Sequence, residues 1–246
     1  MEKEFYKNLK SKTLNDIASG KITYDKLDNI LRADKEIVLE AIRHESFVYY
    51  DVPETLKKDR EIVLASLKKY GLMLEFVSDK LKKDREIVFT AVKQCGFALK
   101  YADKIFKEDK EIVHEAIKSD GWALQFVGNK FFRDPEFLFL AVKYHGYAFE
   151  LLPKKYKKDK TFIEKCIKEH GYILRFIDPK LRLNYLFLEK LVKINGYCLK
   201  YIPNEFKDDV NLALLAVKQN GLSISFIESD LRKNKEIIIE AIKQNR

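Results

Sequence analysis

Residues 84–108, DREIVFTAVKQCGFALKYADKIFKE, contain the pattern from which the fold of this chain of 246 residues can be predicted. Ile87, Val88 and Ala91 fall at i, i+1 and i+4, the spacing that gathers apolar side chains on one face of a helix. Asp84 stands just ahead of this run, where its carboxylate can accept hydrogen bonds from the free N–H groups of the first helical turn. The pattern predicts a helix of about twelve residues that begins after Asp84.

A glycine and a second apolar run follow this helix. Gly96 stands where a left-handed residue commonly ends a helix, so we expect the chain to reverse direction there. Phe97, Leu99 and Tyr101 then supply the apolar side of a second, shorter helix. A turn anchored by Phe106 leads to the next aspartate, so the stretch predicts a long helix, a short helix and a turn.

The same pattern recurs every 25 residues without insertion or deletion. The residue ahead of the long helix is an aspartate or asparagine, at Asp34, Asp59, Asp84, Asp109, Asp134, Asp159, Asn184, Asp209 and Asn234. A glycine follows the long helix at Gly71, Gly96, Gly121, Gly146, Gly171, Gly196 and Gly221, and Ser46 has the first place in this column. Self-similarity at one fixed period is typical of a solenoid, in which each repeat buries its apolar face against its neighbours. We therefore predict an all-α fold, an α-solenoid of helix-turn-helix repeats with a long and a short helix in each.

The repeat also resembles a known family. The pattern D-[KR]-E-I-V-x-x-A-[VI]-K-x-x-G-x-A-L occurs at residues 84–99 and again at residues 109–124. It is similar to a family of tandem helical repeats known only as a domain of unknown function, whose unit takes in about two neighbouring copies. The resemblance spans residues 34–246 and implies the repeat fold, but it implies no activity for particular residues.

The copies divide the chain into a cap, an array and a half-copy. Ile22, Tyr24, Leu27 and Leu31 match the second half of the repeat, whereas the part before Gly20 matches it poorly. Residues 1–33 are therefore predicted to be a degenerate N-terminal capping repeat, since terminal repeats need a more polar outer face. Eight copies occupy residues 34–233, and a half-copy occupies residues 234–246. The unbroken period predicts one continuous domain.

Composition argues against a membrane-spanning or disulfide-rich protein. No apolar run is long enough to cross a bilayer, and the first residues, MEKEFYKNLKSK, lack the apolar centre of a secretion signal. Cys95, Cys166 and Cys198 are odd in number and form no CxxC pair, so they give no disulfide framework. These features favour a soluble protein in a reducing, intracellular compartment such as the cytoplasm.

Catalytic and metal-binding patterns have simpler explanations in the repeat. His145 and His170 share one column, but neighbouring helices pack about 8–10 Å apart, and zinc needs its ligands at about 2 Å. No phosphate-binding glycine loop or Ser/His/Asp arrangement stands out, and most carboxylates are helix caps. We therefore expect a protein that is not an enzyme, with no catalytic residues, no metal and no cofactor.

An aromatic residue starts most of the short helices, as at Phe97, Trp122 and Tyr147. Such a ladder could stack nucleic-acid bases. Regular aromatic residues at the start of every second helix are more typical of core, so we predict that this column is buried.

Basic residues concentrate in the turns, although the net charge of the chain is only +9. Seven-residue windows around the nine cap positions hold 25 basic and 13 acidic residues. These turns share one edge of a solenoid, so we predict a positive stripe that attracts nucleic acid, an anionic membrane surface or an acidic protein. Lysine-rich turns that only keep the array soluble are the alternative. The stripe is densest at Lys154, Lys155, Lys157, Lys158 and Lys160, followed by Lys80, Lys82, Lys83 and Arg85.

The copy that begins at Asn184 departs from the pattern. Leu183, Tyr185 and Leu186 stand where other copies carry mainly charged or polar residues. Exposed apolar residues beside a basic edge are typical of a partner-binding surface, and sequence drift with compensating contacts is the alternative.

These features predict a non-enzymatic helical-repeat scaffold that binds a protein or peptide along one face. The alternative is binding of nucleic acid or a phosphate ligand through the lysine-rich edge. The residues predicted to bind are Lys154, Lys155, Lys157, Lys158, Lys160, Arg182, Leu183, Tyr185 and Leu186.

Overall fold

The structure is a computed structural model that describes residues 2–45, 47–228 and 230–244. Within these residues the regular structure is helical, with no strand, so the predicted all-α fold is confirmed. The α-helices are α1 (Glu2–Ala18), α2 (Asn29–Arg32), α3 (Lys35–His44), α4 (Arg60–Lys69), α5 (Arg85–Gln94), α6 (Lys110–Ser119), α7 (Pro135–Tyr144), α8 (Lys160–Glu169), α9 (Pro179–Arg182), α10 (Tyr185–Ile194), α11 (Val210–Gln219) and α12 (Lys235–Gln244).

Each ten-residue helix from α3 to α11 is followed by a short 3-10 helix. Helix α9 is excluded from this statement because it is only one turn long. These short helices are Val48–Tyr50, Gly71–Phe76, Gly96–Tyr101, Gly121–Phe126, Gly146–Leu151, Gly171–Arg175, Gly196–Tyr201 and Gly221–Phe226. The long helices have ten residues, slightly fewer than predicted, because the next residue is already extended, as Cys95 is with φ −147° and ψ 109°. The predicted repeat of a long and a short helix is confirmed.

The cap column starts the long helices in the predicted way. Asp84 Oδ1 accepts hydrogen bonds from the N–H groups of Glu86 at 2.9 Å and Ile87 at 3.2 Å. The other members of the column make one or both of these bonds. A cap of this kind contributes about 0.5–2 kcal/mol, so every copy carries its own signal for where the helix begins.

The glycine column has a different role from the one predicted. Among the described residues, a positive φ occurs at Gly20 and Phe47, so the column glycines are not left-handed and that prediction was wrong. A Cβ atom on Gly96 would instead lie 2.1 Å from the carbonyl oxygen of Ala116 in the next long helix. Gly71, Gly96 and Gly196 are therefore required because the backbone of one repeat touches the backbone of the next, whereas a Cβ atom on Gly146 would meet the side chain of Tyr172. Ser46, the predicted exception, lies outside the described residues.

The core repeats with the same period. In α5, Ile87, Val88 and Ala91 are fully buried, as is Leu99 of the following short helix. Phe106 is buried and anchors the turn, as predicted. Burial of one isoleucine or leucine side chain contributes about 1.5–3 kcal/mol, so each copy adds its own layer to the core.

The first of two compact units is Met1–Val127. Its long helices α3, α4, α5 and α6 pack side by side in chain order, and the short helices after α4, α5 and α6 form a second layer. Helix α1 packs on α3, where Lys10 Nζ lies 2.9 Å from Asp34 Oδ2 and 3.0 Å from Glu36 Oε2. These are the contacts that Lys35 makes with the following copy, so α1 joins the array as a long helix does.

The second compact unit is Gly128–Arg246. Helices α7, α8, α10, α11 and α12 pack in that order, and the short helices after α7, α8, α10 and α11 form the second layer. Helix α9 occupies the turn before α10. The N–H of Asp178, which caps α9, donates a hydrogen bond of 2.9 Å to the carbonyl of Lys157. Turns of neighbouring copies therefore lie side by side in this unit.

Candidate functional site

Nearly all the net charge of the chain belongs to the second unit. Residues 128–246 contain 23 lysines and arginines against 15 aspartates and glutamates, whereas residues 1–127 contain 24 against 23. The difference between the units is not seen when the net charge is counted for each 25-residue copy, because no copy has a net charge above two. The second unit is therefore the part of the chain that attracts anions more strongly.

In the first unit, Lys35, Arg60 and Arg85 each start a long helix and pair with acids of the next copy. Arg60 Nε lies 2.9 Å from Asp84 Oδ2, and the Arg60 guanidinium also contacts Glu86. Arg85 makes the same two kinds of ion pair one copy later. Exposed pairs contribute only about 0–1 kcal/mol each. They nevertheless cancel much of the predicted positive stripe in the first unit.

A second column of bases belongs to the fold. The lysine two residues ahead of the cap donates a hydrogen bond from Nζ to a backbone carbonyl at the end of the short helix. This bond is present at Lys82 (2.9 Å to Glu75), Lys107 (2.9 Å to Lys100) and Lys157 (2.5 Å to Glu150). A cation at this end of a helix satisfies a carbonyl that has no partner within the helix. Lys157 and Lys82 therefore have a structural role in addition to their charge.

A groove of about 380 Å³ lies between neighbouring turns of the second unit. Its lining residues are Lys154, Lys157, Lys158, Phe176, Ile177, Asp178 and Pro179. Asp178, the acidic residue of this lining, has its Oδ2 atom 3.7 Å from Lys158 Nζ. Three ammonium groups against this carboxylate make the groove cationic. The structure thus brings three of the predicted binding lysines together.

Lys155 and Lys160 belong to the same turn as the groove lysines. Lys155 Nζ lies 4.6 Å from the ring centroid of Tyr156, and Lys160 Nζ lies 5.4 Å from that of Phe187. Lys160 starts its helix as the ion-pairing bases of the first unit do, but the next copy has Leu186 in the place of a glutamate. Among the described residues, no carboxylate lies within ion-pair distance of Lys155 or Lys160.

Two leucines expose apolar surface beside these lysines. Leu183 is 57% exposed and Leu186 is 76% exposed. Leu183 directly follows α9, whose first residue, Pro179, lines the groove. Leu186 precedes the ring that lies under Lys160. We call Lys154, Lys155, Lys158, Lys160, Leu183 and Leu186 the 154–186 patch.

Arg182 and Tyr185 are held within the fold. The Tyr185 hydroxyl lies 3.2 Å from Asp209 Oδ1 and 3.0 Å from Asn211 Nδ2. Arg182 is half-buried, and its Nε has no hydrogen-bond partner among the described residues. Both residues are close in sequence to the 154–186 patch. The contacts of Tyr185 with the next copy and the partial burial of Arg182 explain their positions without a ligand.

The aromatic column that was predicted to be buried lies largely at the surface, so that prediction was wrong. Trp122 is 37% exposed and Tyr197 is 44% exposed. Three residues complete one turn of a 3-10 helix. The buried positions Gly96, Leu99 and Ala102 are therefore spaced by three, Ala98 is also buried, and Phe97 is only half-buried. The residue after the glycine is thus less buried than its neighbours in the short helix. The prediction was wrong because it treated this segment as an α-helix, in which the buried positions are spaced differently.

The described ranges hold neither a metal-binding cluster nor a membrane span. No group of three His, Cys, Asp or Glu side chains is arranged to hold a metal ion in residues 2–45, 47–228 and 230–244. None of the helices in these ranges combines the length and the apolar composition that a membrane span requires. Cys166 and Cys198 are buried free thiols, and Cys95 is half-buried.

Comparison with known proteins identifies the family of the chain. No curated protein and no solved structure matches it. The family described as Domain of unknown function (DUF4116) matches residues 34–82, 59–107, 84–133, 109–157, 134–182, 184–232 and 209–246. Most of these matches begin 25 residues after the previous one, and each of the first six takes in two neighbouring copies. The matches together cover residues 34–246 except residue 183, so the chain belongs to the DUF4116 family.

Proposed function

We propose that the chain is a non-enzymatic helical-repeat scaffold that binds a segment of a partner protein on the 154–186 patch. One contrast supports this proposal. Bases such as Arg60 are ion-paired with the next copy in the first unit, whereas Lys155 and Lys160 lie over aromatic rings. Because these two lysines give up no internal ion pair, their charge is available to a ligand.

The chemistry of the patch defines the kind of segment that it fits. An anion without apolar groups would leave Leu183 and Leu186 exposed to water, and an apolar segment would leave the ammonium groups unpaired. The matching segment is acidic and also carries apolar side chains. Burial of the exposed part of each leucine would contribute at most about 1.5–3 kcal/mol, while the lysines would speed association and make it sensitive to salt.

A peptide selection tests this function without a known partner. A random peptide library is selected on the wild-type chain and then counter-selected on the double variant Lys155→Glu/Lys158→Glu. The matched control is Lys80→Glu/Lys83→Glu, which reverses the charge of exposed lysines in the same two columns three copies earlier. All three proteins should keep the same helical circular dichroism because the four lysines are exposed.

We expect the enriched peptides to combine aspartate or glutamate with leucine or aromatic residues. They should bind the control variant as they bind the wild type, and they should lose most binding to the 155/158 variant and to Leu186→Gln. Enrichment of peptides without acidic residues would contradict the proposal. Equal loss of binding in the two double variants would contradict it as well, since the effect would then follow net charge rather than the patch.

A further inference from the structure

Two consecutive short helices of the second unit hold a cation between aromatic rings. Arg175 Cζ lies 5.5 Å from the ring centroid of Phe176 and 6.0 Å from that of Tyr201. Lys200 Nζ, one copy later, lies 5.6 Å from the ring centroid of Tyr201 and 5.5 Å from that of Phe226. Rings and cations therefore alternate along the layer of short helices. We call Tyr172, Arg175, Phe176, Tyr197, Lys200, Tyr201 and Phe226 the ring–cation row.

The ring–cation row is accessible to a ligand. Arg175 and Lys200 are exposed, and Tyr197 exposes 44% of its surface. Within the described part of the chain, neither cation has a carboxylate within ion-pair distance. Their charges are balanced only by the electron-rich faces of the rings, an interaction of about 0.5–1 kcal/mol at exposed sites.

The rings support one another across copies. Tyr197 and Phe226 have ring centroids 5.0 Å apart with planes at 59°, and Tyr172 and Tyr201 have centroids 6.5 Å apart at 66°. Tilted contacts of this kind hold the rings in place without stacking them face to face. The two copies that carry Arg175 and Lys200 thus each present a cation and rings, and a ligand that repeats along its own length fits such a surface.

We propose that the ring–cation row binds single-stranded nucleic acid. Bases stack on exposed rings such as Tyr197, and phosphates lie against Arg175 and Lys200. A polymer with one anionic group and one planar ring per residue uses both kinds of side chain in both of these copies. An acidic peptide would use the cations alone, and a duplex keeps its base faces stacked inside the helix. This inference goes beyond the proposed function because it concerns a different set of side chains and a different ligand.

The first unit contains a matched site with a single cation. Lys100 Nζ lies 5.9 Å from the ring centroid of Phe97 and 5.0 Å from that of Tyr101. The same position one copy earlier is Glu75, and one copy later it is Gln125. Lys100 therefore lies over two rings of its own copy, whereas Lys200 lies between rings of two copies, and no second cation follows in the neighbouring copy. Lys100→Ala is therefore the control.

The test uses fluorescein-labelled oligouridine and its hybrid with oligoadenosine, with binding followed by fluorescence anisotropy over a range of NaCl concentrations. We expect the single strand to bind more tightly than the hybrid. Tyr197→Ala should weaken binding by about 5- to 100-fold through loss of stacking. Arg175→Ala/Lys200→Ala should lower the slope of log K against log salt by about 1.4, the value for two phosphate contacts on a single strand.

The controls distinguish binding at the ring–cation row from binding elsewhere on the chain. Lys100→Ala should bind as the wild type does, and so should Leu186→Gln, which is designed to disable the 154–186 patch only. Lys200→Gln checks that the loss follows from the charge rather than from a change in folding, which circular dichroism monitors. Equal affinity for single strand and duplex, an unchanged affinity in Tyr197→Ala, or displacement of the oligonucleotide by polyglutamate at equal charge would overturn the inference.

Discussion

The hydroxyl of Tyr185 lies 3.2 Å from Asp209 Oδ1, and it takes the place that a basic side chain has in the first unit. There, Arg60 bridges the cap of the next copy and the residue two positions later. Tyr185 bridges Asp209 and Asn211 in a similar way: its hydroxyl donates a hydrogen bond to Asp209 Oδ1 and accepts one from Asn211 Nδ2, in place of an ion pair. Tyr185 thus replaces a basic residue of the repeat but keeps the contact with the next copy, with hydrogen bonds instead of an ion pair.

This contact predicts the behaviour of two variants of Tyr185. Tyr185→Phe removes both hydrogen bonds and should lower the free energy of unfolding by about 1 kcal/mol. Tyr185→Arg should restore stability, because the guanidinium can pair with Asp209 as Arg60 pairs with Asp84. Urea titrations followed by circular dichroism measure both effects. A fully stable Tyr185→Phe protein would show that the hydroxyl does not join the copies and would favour a role for it in ligand binding.

Gly96 provides the sharpest test of the contact between copies. A Cβ atom there would lie 2.1 Å from the carbonyl oxygen of Ala116, and a backbone atom cannot move aside as a flexible side chain can. Gly96→Ala should therefore cost about 3 kcal/mol or more in the free energy of unfolding. The control is Gly20→Ala, which has open space but a φ of 70°, and it should cost only about 1–2 kcal/mol. If the two variants unfold at the same urea concentration, the close approach to Ala116 does not explain why position 96 is a glycine.

Acid should weaken the first unit through its ion-paired caps. The Arg60 guanidinium, hydrogen-bonded to Asp84, holds the pKa of that carboxyl below its ordinary value. A carboxyl whose pKa is lower in the folded protein than in the unfolded chain adds stability above its unfolded pKa and loses it as the pH falls through its folded pKa. Stability should thus fall as the pH drops below about 4. Urea midpoints measured from neutral pH downward should fall less steeply for Arg60→Gln, and identical profiles would show that the pair has no such effect.

The three cysteines should differ in reactivity. Burial raises the pKa of the Cys166 thiol to about 12 and also raises the pKa of Cys198. Because the thiolate is the reactive form, iodoacetamide at pH 8 should modify half-buried Cys95 first, and the other two thiols at least about a hundredfold more slowly. All three should react alike in denaturing urea. Mass spectrometry of timed samples measures the order, and early modification of Cys166 would show that its helix opens readily.

The repeat could be predicted from the sequence because each of its signals acts locally. The side chain of Asp84 bonds to residues two and three positions later, and Phe106 packs under its own turn. Such short-range contacts recur in every copy, so a wrong prediction in one copy does not affect the prediction for the others. The resemblance at residues 84–99 and 109–124 pointed to the same family for the same reason.

Contacts between copies were harder to predict because they depend on the path of the backbone. Gly96 was assigned to a left-handed position, since the approach of Ala116 can be known only when the next helix is placed. Lys157 was counted as part of a free stripe, whereas its ammonium group binds a carbonyl of its own copy. Pairing of Arg60 with residues 24 and 26 positions later was visible in the sequence as a regular charge offset, and a search for that offset would have found it.

Photo-crosslinking in the producing cells tests whether the 154–186 patch binds a protein segment. A photo-reactive amino acid is placed at position 183 and, in a separate protein, at position 83, an exposed lysine of the same column in the first unit. We expect a crosslinked protein from position 183 whose labelled segment is acidic and apolar, and no such product from position 83. Crosslinking of the same protein from both positions, or of nucleic acid alone from position 183, would contradict it.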